Sequence, residues 1–143
     1  MEEFVTTLKV RSYECDIYGH VNNAVYLQYC EAARVEFLES LGYDLQKLKE
    51  ANFLLPIVRI EIDYKKPLFM NDLIEVSVKW VGRKTSSAVF EQQIRKLPDK
   101  QLAARARVTW VCTDLRGKPK PIPDILIQPV KAKYGDVPQL NNY

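Results

Sequence analysis

Residues 13–34 read YECDIYGHVNNAVYLQYCEAAR, a stretch that joins an irregular loop to the start of a long apolar helix. A glycine followed by the Asn22 and Asn23 pair indicates irregular backbone and then a helix start, with one of the two asparagines as the N-cap. From Ala24 to Leu41 there is no glycine or proline, and Gly42 then supplies a C-terminal stop. Apolar residues recur around the whole circumference, which predicts a largely buried helix.

Beyond this helix the apolar period changes from 3.6 to 2, the period of half-buried strands. Alternating residues predict strands at 58–65, 74–80, 88–94 and 102–112, and a less regular pattern predicts one at 4–13. Short turn-forming stretches between the four later strands indicate an antiparallel meander. The polar stretch 44–52 is read as a connection, and the proline-rich segment 118–143 as an extended, peripheral surface segment or edge.

The expected architecture is α+β, with an antiparallel sheet of about five strands wrapped around one long central helix. The chain of 143 residues is expected to form one domain, 1–143. A sheet of this size covers only part of a helix that is apolar nearly all round. We therefore expect a homodimer at least, with a dimer of dimers as the larger assembly.

Composition excludes several classes of function. The net charge of +3 is too small to indicate binding to nucleic acid or to a membrane surface, and no apolar run reaches membrane-spanning length. Three widely spaced cysteines outside any paired motif favour a reducing compartment, and the N-terminus does not resemble a secretory signal, so a cytoplasmic protein is expected. With His20 as the single histidine, no metal site is expected.

The loop before the helix gathers groups that carry chemistry. It places the Asp16 carboxylate, the His20 imidazole and two amides close to unpaired N–H groups at the positive end of a helix dipole, which can stabilise an oxyanion. Asp16 could instead be a turn or capping acid, and His20 a structural histidine. Glu31 and Arg34 are three residues apart and predict a helix-surface or interface pair.

At these residues the chain resembles the hotdog-fold thioesterases of the 4-hydroxybenzoyl-CoA thioesterase and YbgC-like branch. Their signature is an aspartate, then Gly-His-Val-Asn-Asn-Ala or a variant, then Tyr and Glu-x-Ala-Arg. The resemblance extends to later segments of this chain, namely Pro56-Ile57-Val58, Ile62-Asp63-Tyr64 before Pro67, the turn Asn71-Asp72, and Gly82 to Ser87 before Phe90 and Gln92.

The resemblance implies hydrolysis of an acyl-coenzyme A or acyl-carrier thioester. It implies that Asp16 is the catalytic carboxylate, either a nucleophile that forms a mixed anhydride or a general base that activates water. By position in the motif, the Asn23 backbone N–H would polarise the carbonyl, and His20 would be a catalytic or supporting group. Coenzyme A is part of the substrate, so no separate cofactor is expected.

The resemblance also implies where the substrate binds. The expected substrate-binding residues are Tyr26, a pocket wall supplied by a neighbouring protomer at Leu54, Leu55, Pro56, Ile57 and Val58, and a turn formed by Arg83, Lys84, Thr85 and Ser86. Cationic and hydroxyl groups in that turn would hold the phosphates of the coenzyme. The alternative for the turn is an ordinary solvated hairpin.

Two other functions remain open at this point. A hotdog dehydratase or hydratase also uses an acid and a histidine on acyl thioesters, but typically within Gly-Asp-x-Asn-Pro-x-His, whereas this chain has Cys15-Asp16-Ile17-Tyr18-Gly19-His20. A non-catalytic acyl-binding module could retain the fold without the activity.

Overall fold

The structure, a computed structural model, describes residues 1–140 and contains one antiparallel sheet packed against helices. The strands are β1 (Phe4–Lys9), β2 (Ile57–Tyr64), β3 (Leu73–Arg83), β4 (Ser87–Lys96) and β5 (Gln101–Val111), and the α-helices are α1 (Asn23–Ser40), α2 (Leu45–Glu50) and α3 (Asp124–Tyr134). A 3-10 turn, Ser12–Glu14, follows β1. The predicted α+β class is therefore confirmed, and the five strands lie close to the predicted positions.

The order of the strands differs from the predicted meander. The sheet runs β1-β3-β4-β5-β2, so only β3, β4 and β5 are joined as successive hairpins. β2 pairs with β5, with Ile60 opposite Val108, and β1 occupies the free side of β3, with Phe4 opposite Val78. The prediction of a four-strand meander is wrong because periodicity identifies a strand and its buried face without identifying its partner.

Helix α1 packs one side against the sheet and leaves the other side uncovered. Its buried residues are Tyr26, Tyr29, Cys30, Ala33 and Phe37. The Phe37 ring meets the Phe90 ring edge-on at 5.6 Å, and burying a side chain of this size stabilises the fold by about 1.5–3 kcal/mol. Val35, on the opposite side, is 49% exposed. One chain therefore covers about half of the helix that the sequence predicted to be largely buried.

A polar link joins α1 to the sheet. Gln92 of β4 is fully buried, and its Nε2 donates to the Cys30 carbonyl at 2.9 Å while its Oε1 accepts from Arg34 Nη1 at 2.9 Å. Burial lowers the pKa of Arg34. The predicted surface pairing of Glu31 with Arg34 is wrong, because the guanidinium turns inward to the sheet.

Side-chain caps fix the starts of the first two helices. Asn22 is the N-cap of α1, and its Oδ1 accepts the Ala24 N–H at 2.9 Å, as predicted. The stretch read as a polar connection contains α2, which begins after Asp44, whose Oδ1 accepts the Lys47 N–H at 2.8 Å. The buried Leu48 holds this short helix on the core.

The C-terminal segment corrects another prediction. Instead of an extended surface segment, residues 124–134 form α3, and the buried Leu126, Ile127 and Val130 belong to the main core. Pro129 lies inside this helix and removes the N–H that would bond the Ile125 carbonyl. The Tyr43 hydroxyl donates to that carbonyl at 2.7 Å and replaces the missing bond. Residues 141–143 of the predicted segment lie outside the described residues.

Within the described part of the chain, no helix is long and apolar enough to cross a membrane.

Candidate active site

The loop before α1 is a short two-stranded ribbon, defined here as residues 15–21. Cys15 and Val21 form an antiparallel bridge, and the Asp16 N–H donates to the His20 carbonyl at 2.7 Å. At the tip, Asp16 Oδ1 accepts the Tyr18 N–H at 2.9 Å. Gly19 has φ +79°, a conformation that favours glycine. Asp16 and His20 therefore lie directly across the ribbon from each other.

One side of the ribbon is held by the connection between β2 and β3. The Val21 N–H donates to the Leu68 carbonyl at 2.8 Å, and His20 forms a bridge with Phe69. The His20 ring meets the Phe69 ring edge-on with centroids 4.9 Å apart. These contacts give the imidazole a fixed orientation at the surface.

The predicted residues His20, Asn23 and Tyr26 come together at the start of α1. They line an open cleft of about 300 Å³ whose other lining residues are Val21, Tyr64, Lys65, Lys66 and Pro67. The Asn23 N–H belongs to the first helical turn, and it has no hydrogen-bond partner among residues 1–140. It is therefore available to a substrate oxygen. Asp16 is half-buried and lies on the other strand of the ribbon from His20, and it is not among the residues that line the cleft.

Two tyrosines shape the floor of the cleft, and the sequence predicted only one of them. Tyr26 is buried, and its hydroxyl accepts the Leu68 N–H at 3.1 Å and donates to the Lys66 carbonyl at 3.4 Å. The Tyr64 ring packs edge-on against Tyr26 at 5.0 Å, and its hydroxyl donates to the Asn23 carbonyl at 2.8 Å. Burial raises the pKa of both phenols, so both stay neutral.

A buried carboxylate beneath the ribbon also escaped prediction. Glu14 is 7% exposed. Its Oε1 accepts the Arg11 N–H at 2.7 Å and the Tyr29 hydroxyl at 3.0 Å, and its Oε2 accepts Arg11 Nη2 at 2.7 Å. Nothing in the local pattern distinguishes Glu14 from a surface acid, since its burial depends on where α1 packs.

The predicted pocket wall lies elsewhere on the same chain. Leu54, Leu55 and Ile57 line a mainly apolar groove of about 370 Å³ against Arg34, Val35 and Leu38 of α1. Arg34 is 11 residues beyond Asn23, about 16 Å along the helix axis. Pro56 is exposed beside the groove, and Val58 is 60% exposed at the start of β2. Within one protomer these residues do not reach the cleft.

Of the four residues in the predicted phosphate-binding turn, one lines a cleft. Lys84 lines a second open cleft of about 360 Å³ on the sheet together with Arg59 and Arg107, and Glu61 is its acidic member. The other three predicted residues hold the fold: Arg83 N–H donates to the Pro138 carbonyl, and the Thr85 and Ser86 carbonyls accept from Ile122 and Cys112. Only Lys84 of the four therefore faces this cleft.

The arrangement around the ribbon suits chemistry at a carbonyl. It offers a carboxylate that can accept a proton or attack carbon, and a helix N–H that can stabilise the oxygen of a tetrahedral intermediate. The neutral tyrosine rings and Pro67 supply an apolar surface next to those groups. The described residues contain no cluster of three or more His, Cys, Asp or Glu that could hold a metal ion.

Known proteins resemble this chain in sequence and in fold. The model of a family described as the Thioesterase-like superfamily matches residues 10–130. Long-chain acyl-CoA thioesterase FadM of Escherichia coli is 36% identical over 111 residues, 78% of this chain and 83% of FadM. The chloroplastic acyl-acyl carrier protein thioesterase ATL3 of Arabidopsis thaliana is 36% identical over 124 residues, 86% of this chain and 65% of ATL3.

The fold comparison agrees with the sequence comparison. The crystal structure of Slr0204, a 1,4-dihydroxy-2-naphthoyl-CoA thioesterase from Synechocystis, matches with a TM-score of 0.83 and 26% identity, covering 90% of this chain and 95% of that one. The hotdog fold implied by the sequence resemblance is confirmed. The chain belongs to the Thioesterase-like superfamily.

Proposed function

We propose that this protein hydrolyses the thioester bond of an acyl-coenzyme A, with an acyl-carrier thioester as the alternative substrate. The observation that carries the proposal is the pairing of Asp16 with His20 across a ribbon that ends at an available helix N–H. Membership of the Thioesterase-like superfamily supports the reaction. FadM is named as an acyl-CoA thioesterase and ATL3 as an acyl-acyl carrier protein thioesterase, and these names support the two candidate substrates.

Two routes lead from this geometry to the products. In the first, Asp16 takes a proton from water, the water oxygen attacks the thioester carbonyl carbon, and the C–S bond breaks to release acid and thiol. In the second, an Asp16 oxygen attacks that carbon and expels the thiolate, and water then hydrolyses the mixed anhydride. In both, the Asn23 N–H stabilises the developing oxyanion, and His20 supports the site across the ribbon.

The active form in this proposal is a C2 dimer. β2 is an edge of the sheet, and Val58, Ile60 and Tyr64 along it are all exposed in a single chain. If two β2 edges pair antiparallel about their middle, Ile57 of one protomer lies opposite Tyr64 of the other. That pairing carries the Leu54 to Val58 wall toward the partner's cleft. A dimer of dimers is the larger assembly we propose.

The cleft around Lys84 is the proposed contact for the coenzyme's phosphates. Arg59, Lys84 and Arg107 outnumber the single Glu61 there, and Arg59 pairs with Glu61, so the net charge of the four side chains is positive. Guanidinium and ammonium groups are the usual donors to phosphate oxygens. Ser87 and Thr109 add hydroxyls to the same cleft.

The proposed reaction needs no cofactor or metal, because the carboxylate and the helix amide supply the base or nucleophile and the oxyanion donor. All three cysteines are free thiols. They support the proposal of a cytoplasmic protein, because thiols remain reduced in that compartment.

The deciding experiment measures thiol release with a chromogenic disulfide across a panel of short-chain, long-chain and aromatic acyl-CoA substrates. Release of one thiol per acid formed is expected for at least one of them. Loss of the enoyl absorbance of crotonyl-CoA without thiol release would instead identify a hydratase. Binding of acyl-CoA with neither reaction would identify a non-catalytic acyl-binding module.

A further inference from the structure

We propose that Glu14 is a positioning residue for this reaction. Its buried carboxylate fixes the ribbon that carries Asp16 against α1. The first residue of that helix, Asn23, lines the cleft. The inference rests on the proposed function, because that proposal assigns Asp16 and the Asn23 N–H to the reaction.

The contacts of Glu14 are those of a structural anchor. A carboxylate that is only 7% exposed has lost most of its hydration, and hydrogen bonds must replace it. Arg11 donates to it twice, from its backbone N–H and from Nη2, both at 2.7 Å. Glu14 does not line the cleft, so it acts through other residues rather than on the substrate.

The third donor connects Glu14 to the helix. The Tyr29 hydroxyl donates to Oε1 at 3.0 Å, and Tyr29 is buried in the second turn of α1. Burial, and then the bond to Glu14, raises the pKa of Tyr29, so the hydroxyl remains a donor. The side chain of Glu14 therefore joins the segment before the ribbon to the rigid core of the helix.

The main chain of Glu14 closes the ribbon at the same point. Its carbonyl accepts the Asn22 N–H at 2.9 Å, so Glu14 and Asn22 form the base of the ribbon. Asp16 lies two residues after Glu14, and Asn23 directly follows Asn22. A shift of the ribbon base against α1 would change the separation of the carboxylate and the oxyanion donor, and a displacement of about 1 Å in such a site can lower the rate about a hundredfold.

Tyr29→Phe is the sharpest test, because it deletes the hydroxyl donor and keeps the ring in the core. We expect kcat to fall about ten- to a hundredfold while KM stays within about twofold. The matched control is Tyr134→Phe, which deletes a hydroxyl bonded to Ser40 Oγ at 2.8 Å at the opposite end of α1. This control is expected to keep kcat within about twofold of the wild type.

Glu14→Gln provides a second measure of the same link. It keeps an oxygen acceptor for Tyr29 but loses the charge that Arg11 neutralises, and kcat is expected to fall. Both changes weaken the same hydrogen bond. The fall in kcat caused by Tyr29→Phe should therefore be smaller in the Glu14→Gln background than in the wild type. If Glu14→Gln fails to fold, as judged by circular dichroism, Tyr29→Phe still decides the question.

Hydrogen exchange provides a readout that is independent of turnover. The Asp16 and Asn22 amides, which close the ribbon, should exchange faster in Tyr29→Phe and at the wild-type rate in Tyr134→Phe. Unchanged kcat in Tyr29→Phe, or reduced kcat with unchanged exchange, would overturn the positioning role. A wild-type protein that releases no thiol from any acyl-CoA would defeat the proposed function instead, and the exchange comparison would still show whether Glu14 anchors the ribbon.

Discussion

Asp16→Asn separates the charge of this residue from its part in the fold. Asp16 Oδ1 accepts the Tyr18 N–H at 2.9 Å, and the side-chain oxygen of an asparagine can accept the same bond. Asp16 forms no ion pair among the described residues, so the substitution breaks none there. We therefore expect the free energy of unfolding to change by less than about 1 kcal/mol.

The effect on turnover should be much larger. A neutral amide neither accepts a proton from water nor attacks a carbonyl, so both proposed routes lose their central group. Removing such a group lowers kcat by about 10²–10⁴-fold, which corresponds to about 3–5 kcal/mol of lost transition-state stabilisation. Thiol release under saturating acyl-CoA measures kcat, and urea denaturation of the same samples measures stability.

Asp114→Asn is the matched control for this experiment. Asp114 also holds a turn, because its Oδ1 accepts the Arg116 and Lys118 N–H groups, both at 2.9 Å. It lies after β5, away from the ribbon, and should keep kcat within about twofold. An Asp16→Asn protein whose kcat stays within about tenfold of the wild type would remove Asp16 from the mechanism. Equal losses in the two variants would point to folding rather than chemistry.

The remaining predictions concern support, core, pH and assembly. His20→Ala should lower kcat about ten- to a hundredfold in the thiol assay, and a loss as large as that of Asp16→Asn would place the imidazole at the reacting atoms. Gln92→Met removes the bonds to Arg34 and to the Cys30 carbonyl and should lower the free energy of unfolding by about 2–4 kcal/mol in urea; an unchanged midpoint would contradict the link. Burial raises the pKa of the Cys30 thiol from 9.0 to about 11. The folded protein therefore disfavours the thiolate, and the free energy of unfolding should be unaffected by this thiol below pH 9 and fall by about 3 kcal/mol as pH rises through 11. Unfolding curves in that range should show the decline, and Cys30→Ala should remove it. Ile60→Glu on the β2 edge should lower mass in light scattering and kcat together, whereas an active monomer would refute the assembly.

The sequence predicts local structure correctly where a single residue or a short pattern determines the backbone conformation. The N-cap at Asn22 was predicted because its side chain bonds an amide two residues away, which is a local interaction. The turn at Asn71 has φ 71°, a conformation that asparagine tolerates better than most residues. The alternating patterns likewise placed β2, β3, β4 and β5, since burial on one face of a sheet has a period of two.

Prediction failed where a distant side chain decides the outcome. The prolines after residue 118 argued against regular structure, but the Tyr43 hydroxyl, 82 residues away from Ile125 in sequence, satisfies the carbonyl that Pro129 leaves unpaired. Glu14 was overlooked for a similar reason. Its burial depends on Tyr29 and on the packing of α1, and no pattern within the ribbon reports either one.

The candidate site shows the same division between local and distant information. The motif predicted His20, Asn23 and Tyr26 together, and one chain does assemble them into a cleft. Tyr64 entered the cleft from β2 without being predicted, because strand order rather than periodicity brings it there. Sequence proximity therefore identified the side of the cleft formed by the ribbon and helix start, and missed the side formed by the sheet.

The cleft and the predicted pocket wall are far apart on one chain, and the β2 edge connects them. On one chain the Leu54 to Ile57 segment packs beside Arg34, about 16 Å along α1 from Asn23, so it cannot enclose an acyl group held at Asp16. β2 runs between these two places, with Ile57 at the groove and Tyr64 at the cleft. Reversing a second copy of that strand alongside the first exchanges the two ends. In the proposed dimer, the operation that covers an exposed sheet edge would thus also complete two identical sites, so loss of the dimer should lower activity.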